Sequence, residues 1–259
     1  MIDLEAHLRA RRAEGRKLFV PYVSGGLDPE WVDLVRAFAD AGADAIEVGI
    51  PFSDPVMDGP TIQEASDRAL ERGTTPHSVV AELRGVADEI GVPIVVMTYY
   101  NLVFRAGHQR FAQELAEAGI SGAILPDLPL EETGPWAEAA DAAGVATILL
   151  AAPTAPDDRL PRICDRARGF VYAVSLLGVT GERQSLATTA IGMAQRLKAV
   201  TDRPVIIGIG ISTPEQAREA CTVADGVVMA SALMRLRLDG ASVAEVAAAA
   251  RKVREAMDG

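Results

Sequence analysis

Cysteine, histidine and basic clusters are all scarce in this chain, and each scarcity removes a class of function. The two cysteines, Cys164 and Cys221, have no CxxC spacing. A disulfide framework and a thiolate metal site are both unsupported, and buried thiols in a reducing compartment are expected. The three histidines, His7, His77 and His108, show no ligand spacing either, so no metal is predicted. Lysine and arginine total 25 against 36 acidic residues, for a formal net charge of −11. No dense Lys/Arg block appears, which argues against a nucleic-acid partner, because that binding needs phosphate-neutralising cations on one face.

Long apolar runs are missing as well. None approaches the roughly 20 residues needed to cross a bilayer. The N-terminal stretch MIDLEAHLRARRAEGRK has no apolar signal region and carries Asp3, Glu5 and Glu14, which argues against secretory or organellar targeting. A cytoplasmic protein is expected.

What is present is a composition of 49% hydrophobic and 24% charged residues over 259 positions, which is that of a globular chain. Short apolar strands alternate with amphipathic helical stretches from end to end. Strands are predicted at 19–24, 45–50, 94–99, 122–126, 146–152, 170–175, 205–210 and 226–231. Helices are predicted at 2–14, 29–43, 61–72, 78–90, 108–118, 131–143, 157–167, from about 189 to 200, at 214–222, 232–236 and 242–257. Such alternation implies a parallel sheet with right-handed crossovers. Eight units in a chain of the size typical of such barrels, about 250 residues, predict one (β/α)8 TIM-barrel domain over residues 1–259. A short N-terminal helix precedes the barrel and a short extra helix follows strand eight. The rival, a doubly wound open sheet, usually carries GxGxxG after its first strand; here that turn reads SGGLDPE (24–30).

The stretch DAIEVGIPFSDPVMDGPTIQ (44–63) carries the strongest sign of chemistry. Ile46, Val48 and Ile50 alternate with Ala45, Glu47 and Gly49. In a closed barrel the bulky set faces the helices and the small set the interior. Glu47 is then directed inward, where an unpaired charge is costly. Asp54 and Asp58 follow on a turn-rich loop, a layout suited to acid–base catalysis. The pattern leaves open that Glu47 is salt-bridged and that the aspartates only cap turns.

Two further signals lie at the same strand ends, where barrel enzymes place their sites. All four tyrosines, Tyr22, Tyr99, Tyr100 and Tyr172, fall in or just after predicted strands. They serve either as packing or as a pocket for a flat ring with a polar handle. The Gly208-Ile209-Gly210 turn, a Ser212/Glu215 pair spaced for a capping box and Ala230-Ser231 before the short helix read either as ordinary turn glycines and caps or, together, as a candidate phosphate seat. The polar loop 176–189 beside it reads as a disordered connection or a lid. Pattern alone yields a barrel enzyme acting on a phosphorylated, ring-bearing small molecule.

The motifs EVGIPFSDPVMDGPTIQ (47–63), MTYYN (97–101), LPDLPLEE (125–132), GFVYAVSLLGVTGER (169–183), GIGISTPEQ (208–216) and ADGVVMASAL (224–233) together resemble the tryptophan synthase α-subunit family. The resemblance runs through nearly the whole chain. It implies retro-aldol cleavage of indole-3-glycerol phosphate to indole and D-glyceraldehyde 3-phosphate. It implies Glu47 as general acid/base, and Asp58 as the acceptor of the indole N–H. Gly181, Gly210 and Ser231 match phosphate-binding positions, Tyr22, Tyr99 and Tyr172 pocket positions, and Thr180 a lid position. The resemblance also implies an α2β2 heterotetramer, no cofactor in this chain, and pyridoxal phosphate on the β subunit. Ala230 departs from the glycine usual in the family, Met57 from the commoner alanine, and Leu176 and Leu177 make the start of the lid unusually apolar. A stand-alone lyase releasing free indole, a non-catalytic activator of a β subunit, and another phosphate-binding barrel are the rival readings.

Overall fold

The computed structural model describes residues 1–175, 183–208 and 210–259, the side chains of 183–188 excepted. Eight parallel strands close into a barrel in chain order. They are β1 (Leu18–Ser24), β2 (Ile46–Gly49), β3 (Ile94–Met97), β4 (Gly122–Ile124), β5 (Ala146–Ala151), β6 (Val171–Ala173), β7 (Val205–Ile207) and β8 (Gly226–Met229). Closure comes from β1 pairing with β8, Leu18 opposite Gly226 and Pro21 opposite Met229. The helices are α1 (Leu4–Ala13), α2 (Trp31–Asp40), α3 (Pro60–Glu71), α4 (Pro76–Leu83), α5 (Val86–Ile90), α6 (Tyr100–Ala106), α7 (His108–Glu117), α8 (Gly134–Ala143), α9 (Arg159–Arg166), α10 (Arg183–Lys198), α11 (Pro214–Ala220), α12 (Ser231–Leu238) and α13 (Val243–Asp258). Among the described residues no helix is long and apolar enough to cross a membrane.

Strand parity divides the core in two. Ile46 and Val48 of β2 join Phe19, Val96 and Val171 in the layer between barrel and helices. Ala45 joins Val20, Val95, Ile124, Ile148 and Val228 inside the barrel. Leu4 and Leu8 of α1 belong to that inner cluster, so the N-terminal helix plugs the end of the barrel where the strands begin. Asp3 caps α1 by accepting from the Ala6 N–H, a contact that fixes where this plug starts.

The plugged end is also where buried carboxylates meet cations. Asp44, just before β2, accepts from Arg16 Nε at 2.7 Å, Arg254 Nη1 at 3.1 Å, Arg11 Nε at 3.3 Å and the Phe19 N–H at 2.9 Å. Asp225, just before β8, accepts from Lys198, Arg12 and the Val205 N–H. Each carboxylate ties the start of a strand to a neighbouring strand or helix, so its burial is compensated.

Local structure departs from the expectations at several points. The helix expected at 78–90 is two helices, α4 and α5, parted at Gly85, whose φ of +82° breaks the right-handed run. β3 stops at Met97 and the chain turns directly into α6 at Tyr100, where an extended segment to residue 99 was expected. Helix α10 begins at Arg183, inside the expected 176–189 loop. The extra helix α12 runs to Leu238, two residues past its predicted end. The cap before α11 is Thr213 with Gln216, not Ser212 with Glu215. Thr213 has the extended backbone that a cap requires, and Pro214 then occupies the first helical turn.

Candidate active site

A cavity of about 600 Å³ opens at the end of the barrel where the strands finish, and Glu47, Asp58, Tyr22, Tyr172, Gly210 and Ser231 all line it. A second cavity of about 670 Å³ lies beside it and shares Met57, Pro126, Leu150, Ala152 and Val174 with it. Among the described residues its ionisable wall residues are Asp127 and Arg159, so the convergent acid–base groups belong to the first.

Glu47 sits on β2 opposite Tyr22 of β1 and Val95 of β3. It is 1% exposed, and its Oε2 has no hydrogen-bond partner. Among the described residues no cation compensates it. Burial, reinforced by the negative charge of Asp58, pushes its carboxyl up to about 8. At neutral pH Glu47 therefore holds a proton.

Asp58 reaches the same space from the loop between β2 and α3. The loop is held by Asp58 N–H donating to the Pro55 carbonyl at 3.0 Å and by Gln63 Nε2 donating to the Asp58 carbonyl at 2.8 Å. Tyr99 completes the support. Its hydroxyl donates to Asp58 Oδ2 at 3.2 Å and accepts the Met57 N–H at 2.9 Å, while Phe52 stacks on its ring at 4.9 Å. Burial pushes Asp58 up to about 6, and the Tyr99 hydrogen bond opposes that rise. The two carboxyls thus differ in charge at pH 7, Glu47 neutral and Asp58 anionic. Environments that drive two carboxyls apart in this way create an acid and an electrostatic partner from the same functional group.

The tyrosines divide among different duties. Tyr22 and Tyr172 stand inside the barrel, both buried, each over a glycine of the next strand segment. A Cβ on Gly49 would lie 1.8 Å from the Tyr22 hydroxyl, and one on Gly208 1.9 Å from the Tyr172 ring. Glycine at these positions is what admits the rings. Tyr99 lies behind Asp58 and outside the cavity wall. Tyr100 is not at the site. It opens α6, bonds His108 Nε2 at 3.0 Å and stacks on that ring.

Gly210, Ile211, Ser212, Ala230 and Ser231 form the opposite wall. Gly210 has a φ of +96°, a backbone region open mainly to glycine. The two loops contribute unequally to an anion seat. The start of α11 is already satisfied by its own side chains, since Gln216 Oε1 accepts from the Ser212 and Thr213 N–H groups. The start of α12 has no side-chain cap, which leaves its first N–H groups directed outward from the helix for an anion. Thr180 and Gly181, expected at the lid and phosphate positions, lie outside the described residues, as do Leu176 and Leu177.

Sequence reasoning passed over the apolar wall made by Met97, Ile124 and Leu150. Inward parity on β3, β4 and β5 was the available signal. It also passed over Ser175, which follows β6 and lines the cavity.

A family model described as tryptophan synthase alpha chain matches residues 8–257. The tryptophan synthase alpha chain of Thermobifida fusca is 46% identical over 248 residues, spanning 94% of this chain and 92% of that one. Its counterpart in Streptomyces coelicolor is 45% identical over 234 residues, 90% of this chain and 86% of the other. Among solved structures, tryptophan synthase from M. tuberculosis in its aminoacrylate- and BRD0059-bound form superposes with a TM-score of 0.89 at 35% identity, covering 98% of this chain and 97% of that one. Tryptophan synthase subunit alpha from Legionella pneumophila gives 0.89 at 31% identity, covering 100% and 99%.

Proposed function

The chain belongs to the tryptophan synthase alpha chain family, and from that premise we propose that it cleaves indole-3-glycerol phosphate to indole and D-glyceraldehyde 3-phosphate by a retro-aldol reaction. The observation that carries this reading is that two carboxyls, the buried Glu47 of β2 and the half-buried Asp58 of the following loop, line one cavity. Cleavage of the ring–side-chain bond requires the indole to become an electron sink. Glu47, neutral at pH 7, delivers its proton to the ring carbon that bears the side chain. Positive charge then develops at the ring nitrogen, and anionic Asp58 accepts the N–H and holds that charge. Glu47, now a carboxylate, takes the proton of the adjacent side-chain hydroxyl. The C–C bond breaks as the new carbonyl forms, and its electron pair restores the aromatic ring. One group serves as acid and then as base, which returns it to its starting state.

The uncapped start of α12 with Ser231, together with Gly210, receives the phosphate. Met97, Ile124 and Leu150 offer apolar surface for the ring. The chain acts as one barrel domain, in the cytoplasm, and pairs with a β subunit that carries pyridoxal phosphate, in an α2β2 assembly. Val56, 79% exposed on the same loop as Asp58, and Phe104, 62% exposed on α6, are apolar surface suited to that docking. A partner resting on Val56 would press on the Met57–Tyr99–Asp58 chain of hydrogen bonds and so bear on the catalytic aspartate.

Indole release from indole-3-glycerol phosphate, by the purified chain alone and with a β subunit, tests the reading. Slow release alone and strong acceleration with the partner is the expected result. Fast release indifferent to the partner would make the chain an independent lyase, and no indole in either case would overturn the catalytic assignment.

A further inference from the structure

Among the described residues, two buried side-chain oxygens without a hydrogen-bond partner belong to residues that line the active cavity: Glu47 Oε2 and Ser175 Oγ. The others, on Thr98, Ser121, Trp136, Thr147 and Arg166, belong to residues outside its wall. An unmade hydrogen bond on a buried hydroxyl costs stability, and where the group lines a ligand cavity a partner that arrives with the ligand accounts for it. Glu47 has that explanation in the chemistry above. Ser175, 3% exposed, has none yet.

Its place in the barrel indicates what it would meet. Ser175 follows β6, four strands around the ring from β2, which carries Glu47. The next strand is β7, tied to β6 by the Gly208 N–H donating to the Ala173 carbonyl at 3.1 Å. Gly210 follows β7 and Ser231 follows β8. Ser175 thus continues the polar arc of Gly210, Ser212 and Ser231, while the apolar wall lies on β3 to β5. A serine hydroxyl turns about one bond to meet an arriving acceptor.

We propose that Ser175 is a substrate-binding residue whose hydroxyl donates to the phosphorylated three-carbon portion of the substrate, and not to its ring. This rests on the reaction proposed above. It makes Ser175 a determinant of specificity for the glycerol phosphate half, bound only when that half is present.

The test is the reverse condensation of indole with D-glyceraldehyde 3-phosphate, in which the two halves have separate KM values. Ser175→Ala should raise KM for the aldehyde phosphate about tenfold or more, the range for a lost hydrogen bond to a charged group. KM for indole and kcat should stay within about twofold. Ser175→Thr, which keeps the hydroxyl, should restore most of the loss. Calorimetric titration with glycerol 3-phosphate should show the same factor in Kd. That readout needs no turnover, so it separates failure of this assignment from failure of the reaction reading. A rise in both KM values together, an unchanged constant for the aldehyde phosphate, or no recovery with threonine would overturn the proposal.

Discussion

Asp44 and Glu47 are three residues apart in sequence, both buried, and their surroundings are opposites. Asp44, at the end where the strands begin, is met by three guanidinium groups and a backbone N–H. Glu47, on the strand itself, meets no cation among the described residues, and its Oε2 has no hydrogen bond. The first arrangement compensates a carboxylate and uses it to join chain segments. The second leaves a carboxyl uncompensated, so burial makes it retain its proton at neutral pH. Stability is invested at one end of the barrel and spent at the other, as expected where a site requires perturbed groups.

The comparison breaks most sharply at Glu47. Glu47→Gln keeps the shape and removes the proton, and should lower cleavage by about a hundredfold to ten-thousandfold, with substrate binding retained. Near-normal single-turnover rates would end the acid/base assignment. Asp44→Ala attacks the other end. It strands Arg254 and its companions and should cost about 3–5 kcal/mol of stability, read as a lower urea midpoint. The surviving folded fraction should keep the kcat of the parent; a kcat that collapses would mean the two ends are not separate.

A third test uses pH on the same pair of proteins. Glu47 is raised in the folded state from its ordinary 4.5 to about 8. The folded protein therefore holds a proton that the unfolded chain releases, and this contribution to stability is complete below about pH 4.5 and lost as pH rises through about 8. Glu47→Gln has no such loss. Its stability relative to the parent should improve from pH 5 to pH 9 by a few kcal/mol at most. Parallel stability curves would show that Glu47 is not held protonated. The smallest effect is expected at Tyr99. Its hydrogen bond opposes the rise of Asp58, so Tyr99→Phe should move the acidic limb of the rate profile, near pH 6, to higher pH. The accompanying loss in kcat/KM should be about fivefold. An unmoved limb would show that the bond does not govern Asp58.

Much of this architecture is legible from residue order because its causes are local or periodic. Alternation of short apolar strands with amphipathic helices dictates a parallel barrel, and the period of two on Ala45-Ile46-Glu47-Val48 directs Glu47 inward. Features that failed to read out depend on neighbours distant in sequence. Tyr99 and Tyr100 look alike in the chain, yet α6 begins between them and sends one to Asp58 and the other to His108. Ser175 resembles any small residue at a strand end until the cavity wall is assembled around it.

The sequence by itself determined the barrel, the inward carboxylate and the acidic loop that follows it, because strand parity and turn chemistry act within a few residues. Only the tertiary structure decided that Asp44 is compensated and Glu47 is not, and that α12 rather than α11 presents uncapped N–H groups to the cavity. The physical reason is that a charge's partners and its access to water are properties of the assembled packing, drawn from strands and helices as far apart in the chain as Asp44 and Arg254.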